Sequence, residues 1–354
     1  MLDLYGLRKP VVAVLGASGY IGTAFVAELK RRDHSFIALS RGEVDYTRFD
    51  ELCRFLISTR PDFVINAAGF AGRPNVDACE TARAETIFGN CLLPQTMANA
   101  CVITGTHWGH VSSGCIFNGA KIETNGQWQV EPDLNQESVR FVLSHFPERV
   151  HGFEESDRPN FSFRHPPCSF YSGSKALAEE ALAACTEDSS ASLPLRSEGY
   201  IWRLRMPFDE FDHPRNYLSK LLRYERLYDN FNSLSHRGDF VRACLDLWER
   251  QAPFGIYNVT NPGYISTREV VKLMEQFLEP NREFPFWEND AEFYRYAARA
   301  PRSNCVLDSS RLRASGVHLR RVDEALRDAL ENWLPEKPTP PAITHNLSFA
   351  GNAS

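Results

Sequence analysis

A glycine-rich turn between an apolar run and an amphipathic stretch restricts the fold of this chain more than any other feature. The turn passes from Gly16 through Gly19 to Gly22, directly after the apolar residues 11–15. Residues 21–29 then place apolar side chains at helical spacing. Glycine at a strand-to-helix turn lets backbone N–H groups approach a pyrophosphate, and the helix N-terminus favours its negative charge. The pattern therefore predicts a phosphate-binding strand–turn–helix unit.

A second motif about 150 residues downstream supplies chemistry. Tyr171 and Lys175 stand four residues apart in Tyr-Ser-Gly-Ser-Lys. On a helix this spacing puts the phenol and the ammonium on one face, within reach of one bound molecule. Each motif alone occurs by chance in many chains. Together, in this order, they indicate a nicotinamide-dependent enzyme acting on carbonyls or alcohols.

The first 115 residues alternate strand and helix signals at short spacing. Buried strands are predicted at 35–39, 63–65 and 109–113, and helices at 49–57 and from about 76 to 100. This rhythm predicts an α/β fold, a Rossmann-like doubly wound parallel sheet. Ligands of such sheets bind at the carboxyl ends of the strands. Those ends fall at Gly16, Ser40, Ala67 and Ser113.

The rest of the chain predicts a smaller second unit. We expect an NADP-binding domain over residues 1–206 with a return strand near 254–260, and a smaller C-terminal substrate-binding lobe from 207–253 and 261–335. Residues 336–354, rich in proline at their start, predict a disordered tail. The weakly periodic segment 118–170 is interpreted either as a lid over the site or as a plain surface insertion.

Composition excludes several classes of protein. The net charge of −6 argues against general binding to nucleic acid or to acidic membranes. No apolar run approaches the roughly 20 residues that span a bilayer. The nine cysteines contain no Cys-x2-Cys pair, and the histidines show no metal-ligand spacing, so we expect neither a metal site nor a disulfide framework. A cytoplasmic location fits these features best.

Further strings of residues carry a resemblance to a known family. They are Asn66-Ala-Ala-Gly69, Gly72-Arg-Pro-Asn-Val-Asp77, Gly114-Cys-Ile-Phe117, Arg205-Met-Pro207, Pro214-Arg-Asn-Tyr217 and Ala300-Pro-Arg-Ser-Asn304. Together with the two motifs, they resemble the extended short-chain dehydrogenase/reductases over most of residues 10–330. Within that family the chain is most similar to the dTDP-4-dehydrorhamnose reductase branch, and within it to the plant bifunctional nucleotide-rhamnose synthases (3,5-epimerase/4-reductase). The segment 118–170 is longer than that pattern leads us to expect.

Tyr171 is the candidate acid for a reduction. Hydride addition to a ketone creates alkoxide character, which needs a proton donor and hydrogen bonds to the oxygen. An ordinary tyrosine pKa is about 10, and we expect the Lys175 ammonium to lower it. By resemblance, Lys175 also holds the nicotinamide ribose and Ser113 hydrogen-bonds the substrate carbonyl. The alternative is a Tyr and a Lys on a solvated helix face.

The choice of cofactor follows from the end of the second strand. An acid there would bind the 2′-hydroxyl of NADH and repel a 2′-phosphate. Ser40-Arg41 instead offers a hydroxyl and a cation, so NADPH is favoured over NADH, although Arg41 could also point to water. The candidate cofactor-binding residues are Gly16, Ser18, Gly19, Tyr20, Ile21, Gly22, Ser40, Arg41, Asp45, Tyr46, Ala67, Ala68, Gly69, Tyr171 and Lys175.

Cys115 and Lys220 suggest a second chemistry. A C4 ketone on a sugar acidifies the hydrogens at C3 and C5, and a thiol beside a lysine is a serviceable proton-exchanging group. In the rhamnose synthases the matching residues are assigned this work; the alternative is that Cys115 is a buried packing residue. The candidate substrate-binding residues are Arg73, Asn75, Ser113, Cys115, Asn216, Lys220 and Arg302. The guanidinium groups suit a pyrophosphate, but each could equally be a structural ion-pair partner.

The sequence thus predicts an NADPH-dependent reductase of an NDP-4-keto-6-deoxyhexose with 3,5-epimerase activity, giving NDP-β-L-rhamnose or a relative. Alternatives are a 4-keto-reductase alone, an enzyme acting on another nucleotide sugar, or a non-catalytic regulatory subunit with a reductase-like fold. UDP and dTDP substrates are both open, as is the oligomeric state, a homodimer included.

Overall fold

The computed structural model describes residues 9–187 and 198–335, so the predicted tail at 336–354 lies outside the described residues. The strands in chain order are β1 (Val11–Leu15), β2 (Ser35–Leu39), β3 (Phe63–Asn66), β4 (His107–Ser113), β5 (Ala120–Thr124), β6 (Gln127–Glu131), β7 (Val150–His151), β8 (Gly199–Leu204), β9 (Pro207–Phe208), β10 (Phe231–Asn232), β11 (Ser235–His236), β12 (Gly255–Asn258) and β13 (Ile265–Ser266).

The α-helices are α1 (Tyr20–Arg31), α2 (Phe49–Thr59), α3 (Arg83–Ile87), α4 (Leu93–Thr104), α5 (Glu137–His145), α6 (Phe170–Glu187), α7 (Tyr217–Arg223), α8 (Arg237–Glu249), α9 (Thr267–Phe277), α10 (Asp290–Tyr296), α11 (Ser310–Ala314) and α12 (Val322–Glu331). Shorter 3₁₀ turns span Val76–Glu80, Gly114–Ile116 and Pro147–Arg149. Within the parts of the chain that the structure describes, no helix is both long and apolar enough to cross a bilayer.

Six parallel strands form the central sheet, in the order β12-β8-β4-β3-β1-β2. The chain moves outward from β1 to β2 and then returns to the other side of β1 as β3. This reversal is the topological switch point at which doubly wound sheets bind ligands. The predicted fold class is confirmed, and the return strand β12 pairs with β8 as the sequence indicated.

Alternate side chains of the strands pack into two apolar layers. Val12 and Val14 of β1 face the layer that holds α1 and α8, whereas Ala13 and Leu15 face the layer of α2 and α4. All four are fully buried. A strand with water on neither face needs apolar residues throughout, which is why these strands read as continuous apolar runs.

The division into domains differs from the predicted one at α8. The sequence assigns residues 207–253 to the substrate-binding lobe, but α8 packs against α1 and its Phe240 and Leu247 belong to the core of the sheet. The lobe has a separate core, built from α7, α9 and α12. The crossover from β8 to β12 thus leaves the sheet to form part of the lobe and returns through α8.

The segment 118–170 is structured and bridges the two units. Strands β6, β5 and β7 form an antiparallel sheet, and α5 lies between β6 and β7 in the chain. Asn258 of β12 donates from its side chain to the carbonyl of Phe153 at 2.9 Å, and Tyr264 donates to the carbonyl of Leu143 at 2.9 Å. Arg140 pairs with Asp229 of the lobe at 2.7 Å. These contacts fit a brace better than either a lid or a surface insertion.

Candidate active site

The glycine-rich turn is closed so tightly that no side chain fits at Gly16 or Gly22. Gly16 has φ +70°, and a Cβ there would lie 2.6 Å from the backbone nitrogen of Ala68. A Cβ on Gly22 would lie 2.0 Å from the carbonyl oxygen of Gly16. The turn therefore sits against the end of β3, at the switch point of the sheet, and leaves the N-terminus of α1 open. This is the geometry that the motif predicted.

The loop after β2 contains an acid that the sequence interpretation missed. The backbone N–H and the hydroxyl of Ser40 both donate to Glu43, at 3.2 and 2.7 Å. Arg41 is exposed beside them. Asp45 accepts hydrogen bonds within its own loop from Thr47. A carboxylate three residues after Ser40 weakens the case that this loop attracts a phosphate, and a search for acids over the whole loop would have found it.

Strand β4 and helix α6 bring three of the candidate catalytic residues together. Ser113 ends β4, and its hydroxyl accepts the backbone N–H of Cys115 at 3.2 Å. Hydrogen bonding to the Ser113 side chain lowers the pKa values of both Tyr171 and Cys115. A negative charge on Cys115 raises the pKa of Tyr171. Ser113, Cys115 and Tyr171 therefore form one cluster, and their catalytic roles stay a prediction.

The expected direction of the Tyr171 pKa was wrong for the protein alone. Burial raises the pKa of Tyr171 above its ordinary value, and the neighbouring Cys115 and Cys79 raise it further. Hydrogen bonding to Ser113 and the charge of Arg215 lower it, but by less. Desolvation penalises a phenolate more than these groups stabilise it. Tyr171 is consequently a firmly protonated donor, as a general acid must be.

Lys175 lies at the bottom of the site. It is only 5% exposed, and its ammonium donates to the carbonyl of Val111 at 3.2 Å. Burial lowers the pKa of Lys175 to about 8, while Cys115 and Glu179 favour the charged form. A Cβ on Gly69 would lie 3.7 Å from this ammonium, so the backbone after β3 runs directly past Lys175.

Asn90 connects the loop after β3 to helix α6, the two sides of the cleft that holds Lys175. Its side chain donates to Phe70 O at 2.8 Å and accepts from Phe70 N at 2.8 Å. It also donates to the Ser174 hydroxyl at 3.1 Å. Asn90 lies in a π turn, Phe88–Leu92, that interrupts the continuous helix predicted from about 76 to 100. Such turns re-aim a side chain at the cost of helical regularity, which a periodic pattern does not reveal.

Cys115 lies in the 3₁₀ turn after β4, and Lys220 lies in α7. Cys115 is 6% exposed, and burial raises its pKa, while Ser113, Ser172, Arg205 and Lys175 counteract that rise. Burial also lowers the pKa of Lys220 to about 8, helped by the charges of Arg215 and Arg302. An amine with a pKa near neutrality exchanges protons more readily than an ordinary lysine.

Three predicted substrate-binding residues, Arg73, Asn75 and Arg302, are at least partly exposed, and the charge of Arg302 acts on Lys220. Arg73 is exposed, and Asn75 begins the turn Val76–Glu80 by accepting the Asp77 N–H at 2.9 Å. Arg302 is held by two hydrogen bonds to the Asp77 carboxylate, at 2.6 and 2.7 Å. The ion pair fixes the guanidinium beside Lys220 without burying it completely, so its role towards substrate stays a prediction.

The structure corrects the interpretation of Asn216. Its side chain is fully buried, donates to the Asp209 and Phe211 carbonyls at 2.8 and 2.7 Å, and accepts the Leu218 N–H at 2.9 Å. With no exposed surface, it begins α7 as an N-cap instead of binding substrate. The string Pro-Arg-Asn did not distinguish these roles.

Two arginines were not among the predicted site residues. Arg215 lies next to Asn216, and its charge acts on both Tyr171 and Lys220. Arg205 follows β8, is 5% exposed and hydrogen-bonds Asn232 and the Ser303 carbonyl, with no carboxylate partner among the described residues. Both occur in strings that carried the family resemblance, which was the available signal.

No cluster of three or more potential metal ligands occurs among residues 9–187 and 198–335. The features that suit a ligand are instead the open turn, the glycine-lined cleft and the buried cations. These suit an anionic dinucleotide and a second anionic molecule beside it.

Comparisons with known proteins identify the class. Residues 11–140 match the family described as the RmlD substrate binding domain. A bifunctional dTDP-4-dehydrorhamnose 3,5-epimerase/dTDP-4-dehydrorhamnose reductase from Arabidopsis thaliana is 32% identical over 271 residues, 76% of each chain. The chain belongs to the dTDP-4-dehydrorhamnose reductase family of extended short-chain dehydrogenase/reductases. The predicted class, a nucleotide-sugar oxidoreductase, is confirmed.

Other relatives are similar to this chain in sequence over part of their length, or in fold. A trifunctional UDP-glucose 4,6-dehydratase/UDP-4-keto-6-deoxy-D-glucose 3,5-epimerase/UDP-4-keto-L-rhamnose-reductase of Arabidopsis thaliana is 30% identical over 90% of this chain, which spans only 42% of that protein. The structure of a UDP-rhamnose synthase from Acanthamoeba polyphaga mimivirus superimposes with a TM-score of 0.74 at 21% identity, covering 92% of this chain and 100% of that one. A dTDP-4-dehydrorhamnose reductase from Bacillus anthracis, solved with NADP, gives a TM-score of 0.67 at 18% identity, covering 92% and 99%.

Proposed function

We propose that the protein reduces the C4 ketone of a nucleoside-diphosphate 4-keto-6-deoxyhexose with NADPH. We further propose that it exchanges protons at C3 and C5 before reduction, so that the product is NDP-β-L-rhamnose or a close relative. The observation that carries the proposal is the grouping of Ser113, Tyr171 and Cys115 with the buried Lys175, while the charge of Arg215 acts on the pKa values of both Tyr171 and Lys220.

The cleft fits a dinucleotide on structural grounds. A Cβ at Gly16 or Gly22 would collide with neighbouring protein atoms, so these glycines let the turn close and present its N–H groups to a pyrophosphate at the N-terminus of α1. The turn at Gly19 would hold the pyrophosphate, and Lys175 would hold the ribose by hydrogen bonds. When bound, the nicotinamide supplies the hydride for the ketone carbon.

For the reduction, Tyr171 donates its proton to the ketone oxygen as that oxygen gains negative charge. Ser113 donates a second hydrogen bond to the same oxygen and so stabilises the developing alkoxide. Burial keeps Tyr171 protonated until then. The buried Lys175 ammonium stabilises the phenolate that remains, because opposite charges attract strongly where water is excluded.

For the epimerisation, the same pocket stabilises an enolate on the C4 oxygen. One basic group removes the proton from the sugar carbon, and an acid on the opposite face returns one. Cys115 and Lys220 are the groups available, and a Lys220 pKa of about 8 lets it act in either direction near neutral pH. The exchange leaves the oxidation state of the sugar unchanged.

The test is turnover of the intact protein with UDP- and dTDP-4-keto-6-deoxyglucose, each with NADPH or NADH, followed by identification of the sugar product. We expect L-rhamnose from one of the two nucleotides. The matched control is Tyr171→Phe, which keeps the ring and should reduce the rate about 10²- to 10⁴-fold.

Two other outcomes would replace the proposal. Reduction to a 6-deoxy-D-hexose without inversion would make the protein a 4-keto-reductase alone. Cofactor binding without turnover of either ketone would favour the regulatory-subunit alternative.

A further inference from the structure

The side chain of Tyr20 leaves the glycine-rich turn and enters the substrate-binding lobe. Tyr20 is the first residue of α1, directly after Gly19. Its hydroxyl donates to Asp209 at 3.0 Å, and its ring stacks on His213 with centroids 4.5 Å apart. The Arg237 guanidinium covers the ring at 4.4 Å. A residue of the phosphate-binding turn is thereby anchored in the other unit.

The Asp209 carboxylate is held in one position by Tyr20, Arg237 and Asn216, and it also accepts the backbone N–H of Phe211. It is 2% exposed, and Arg237 forms an ion pair with it at 2.5 Å while donating to the Tyr20 carbonyl at 2.9 Å. A buried carboxylate is tolerated only with such partners. Burial raises the pKa of Tyr20, and the adjacent Asp209 raises it further, so the tyrosine hydroxyl remains a donor.

Asp209 in turn fixes the start of α7. The side-chain amide of Asn216 donates to the Asp209 carbonyl at 2.8 Å and to its carboxylate at 2.9 Å. The other side-chain atom of Asn216 accepts the Leu218 N–H, and the Asn216 carbonyl accepts the Lys220 N–H at 3.1 Å. A continuous chain of hydrogen bonds therefore runs from the turn to the backbone of Lys220.

We propose that Tyr20 is a positioning residue that couples ligand binding at the glycine-rich turn to the orientation of α7 and Lys220. The inference rests on the proposed function, which assigns a dinucleotide to the turn and proton exchange to Lys220. A pyrophosphate bound by the turn orders the backbone immediately before Tyr20. The hydroxyl then holds Asp209, and Asp209 holds α7, so the substrate pocket is formed more completely when the dinucleotide is present.

Such coupling is measurable as a ratio of affinities, and it must act equally in both directions. The experiment measures the Kd of UDP, and in parallel that of dTDP, by calorimetry with and without saturating NADP⁺. We expect the wild-type protein to bind one of these nucleotides at least about fivefold more tightly in the presence of NADP⁺, the lower end of typical coupling. In Tyr20→Phe, which keeps the stacked ring but removes the donor, the ratio should fall towards one.

A matched control removes a tyrosine hydroxyl elsewhere. Tyr200 is 1% exposed and donates to the Leu247 and Ala252 carbonyls at 3.1 and 2.7 Å, inside the core of the sheet. Tyr200→Phe should lose stability yet keep the affinity ratio. Asn216→Ser retains a good N-cap for α7 but not the amide that reaches Asp209, so it should also uncouple the sites.

The inference is overturned if the wild-type ratio is near one, or if Tyr20→Phe and Asn216→Ser both keep the wild-type ratio. It is also overturned if Tyr200→Phe loses the ratio as Tyr20→Phe does, because the effect would then be one of general stability. Failure of the proposed function looks different. In that case the wild-type protein binds neither nucleotide under any condition and turns over neither keto-sugar.

Discussion

Two lysines with pKa values near 8 set the pH behaviour of the site at the scale of single residues. Lys175 and Lys220 owe their pKa values chiefly to burial, which disfavours the cation. Cys115 and Glu179 face Lys175 and favour its charged form. Only Lys175 lies beside the glycine-lined cleft, against Val111 and Gly69. The two lysines should therefore affect different ligands as the pH changes.

We predict that NADP⁺ binds less tightly as the pH rises through about 8, because Lys175 then loses the charge and the proton that hold the cofactor. The limiting slope is about tenfold in Kd per pH unit for one proton. The measurement is Kd by fluorescence or calorimetry between pH 6.5 and 9.5, a range above the phosphate pKa of roughly 6. Lys220→Met should keep the slope and Lys175→Met should abolish it; a slope that survives in Lys175→Met would mean that another group titrates.

A second prediction at this scale concerns Cys115. In deuterated water without NADPH, the wild-type protein should introduce deuterium at C3 and C5 of the keto-sugar, because forming the enolate needs no hydride. Cys115→Ser should slow exchange at one or both carbons by about 10²-fold or more, since a hydroxyl is a much weaker acid than a thiol. NMR or mass spectrometry of the sugar reports the exchange.

The control for that variant is Cys168→Ser, which changes a half-buried thiol whose charge also interacts with Cys115. It should exchange normally. Undiminished exchange in Cys115→Ser, or no exchange in the wild type alongside brisk reduction of a pre-epimerised ketone, would leave Cys115 as a packing residue.

At the scale of elements, the sequence predicted what depends on local patterns. Strands such as β1 and β2 were recognisable because both of their faces are buried, which requires continuous apolar runs. The π turn at Asn90 was not predictable, because its partners Phe70 and Ser174 lie far away in the chain. The same is true of α8, whose apolar face suits either unit. The role of Asn216 is local, since Asp209 is only seven residues away, and an asparagine before a helix is a common N-cap that the sequence interpretation missed.

The loop after β2 allows a prediction about cofactor choice. Arg41→Ala should weaken NADPH more than NADH, by about fivefold at most, because an exposed ion pair contributes no more than about 1 kcal/mol. Glu43→Gln should shift the preference towards NADPH, since it removes the carboxylate next to Ser40. Kd values for both cofactors measure the effect.

Arg54→Ala, on the exposed face of α2, is the control and should change neither affinity. Equal losses for NADPH and NADH in Arg41→Ala would mean that Arg41 does not meet the 2′-phosphate.

At the scale of the whole molecule, one buried ion pair joins the elements beneath the site. Arg203 of β8 and Glu179 of α6 are 2% and 5% exposed and contact each other at 2.8 Å. Glu179 also accepts the Ser112 hydroxyl of β4 at 2.5 Å, and the Arg203 guanidinium lies 5.0 Å from the centre of the Phe117 ring. The network ties the strand that ends at Ser113 to the helix that carries Tyr171.

We predict that Glu179→Gln lowers the free energy of unfolding by about 3–5 kcal/mol, because it leaves the Arg203 cation buried without a counter-charge. Urea unfolding measures the loss. Glu180→Gln, one residue further along α6, removes the partner of the exposed Arg164 and should cost no more than about 1 kcal/mol. The double change Glu179→Leu with Arg203→Met removes both charges and should recover much of the stability, since the penalty belongs to the unpaired ion and not to the absence of the pair. If the double variant is instead as unstable as the sum of its single changes, the two residues contribute independently and the network is not a unit.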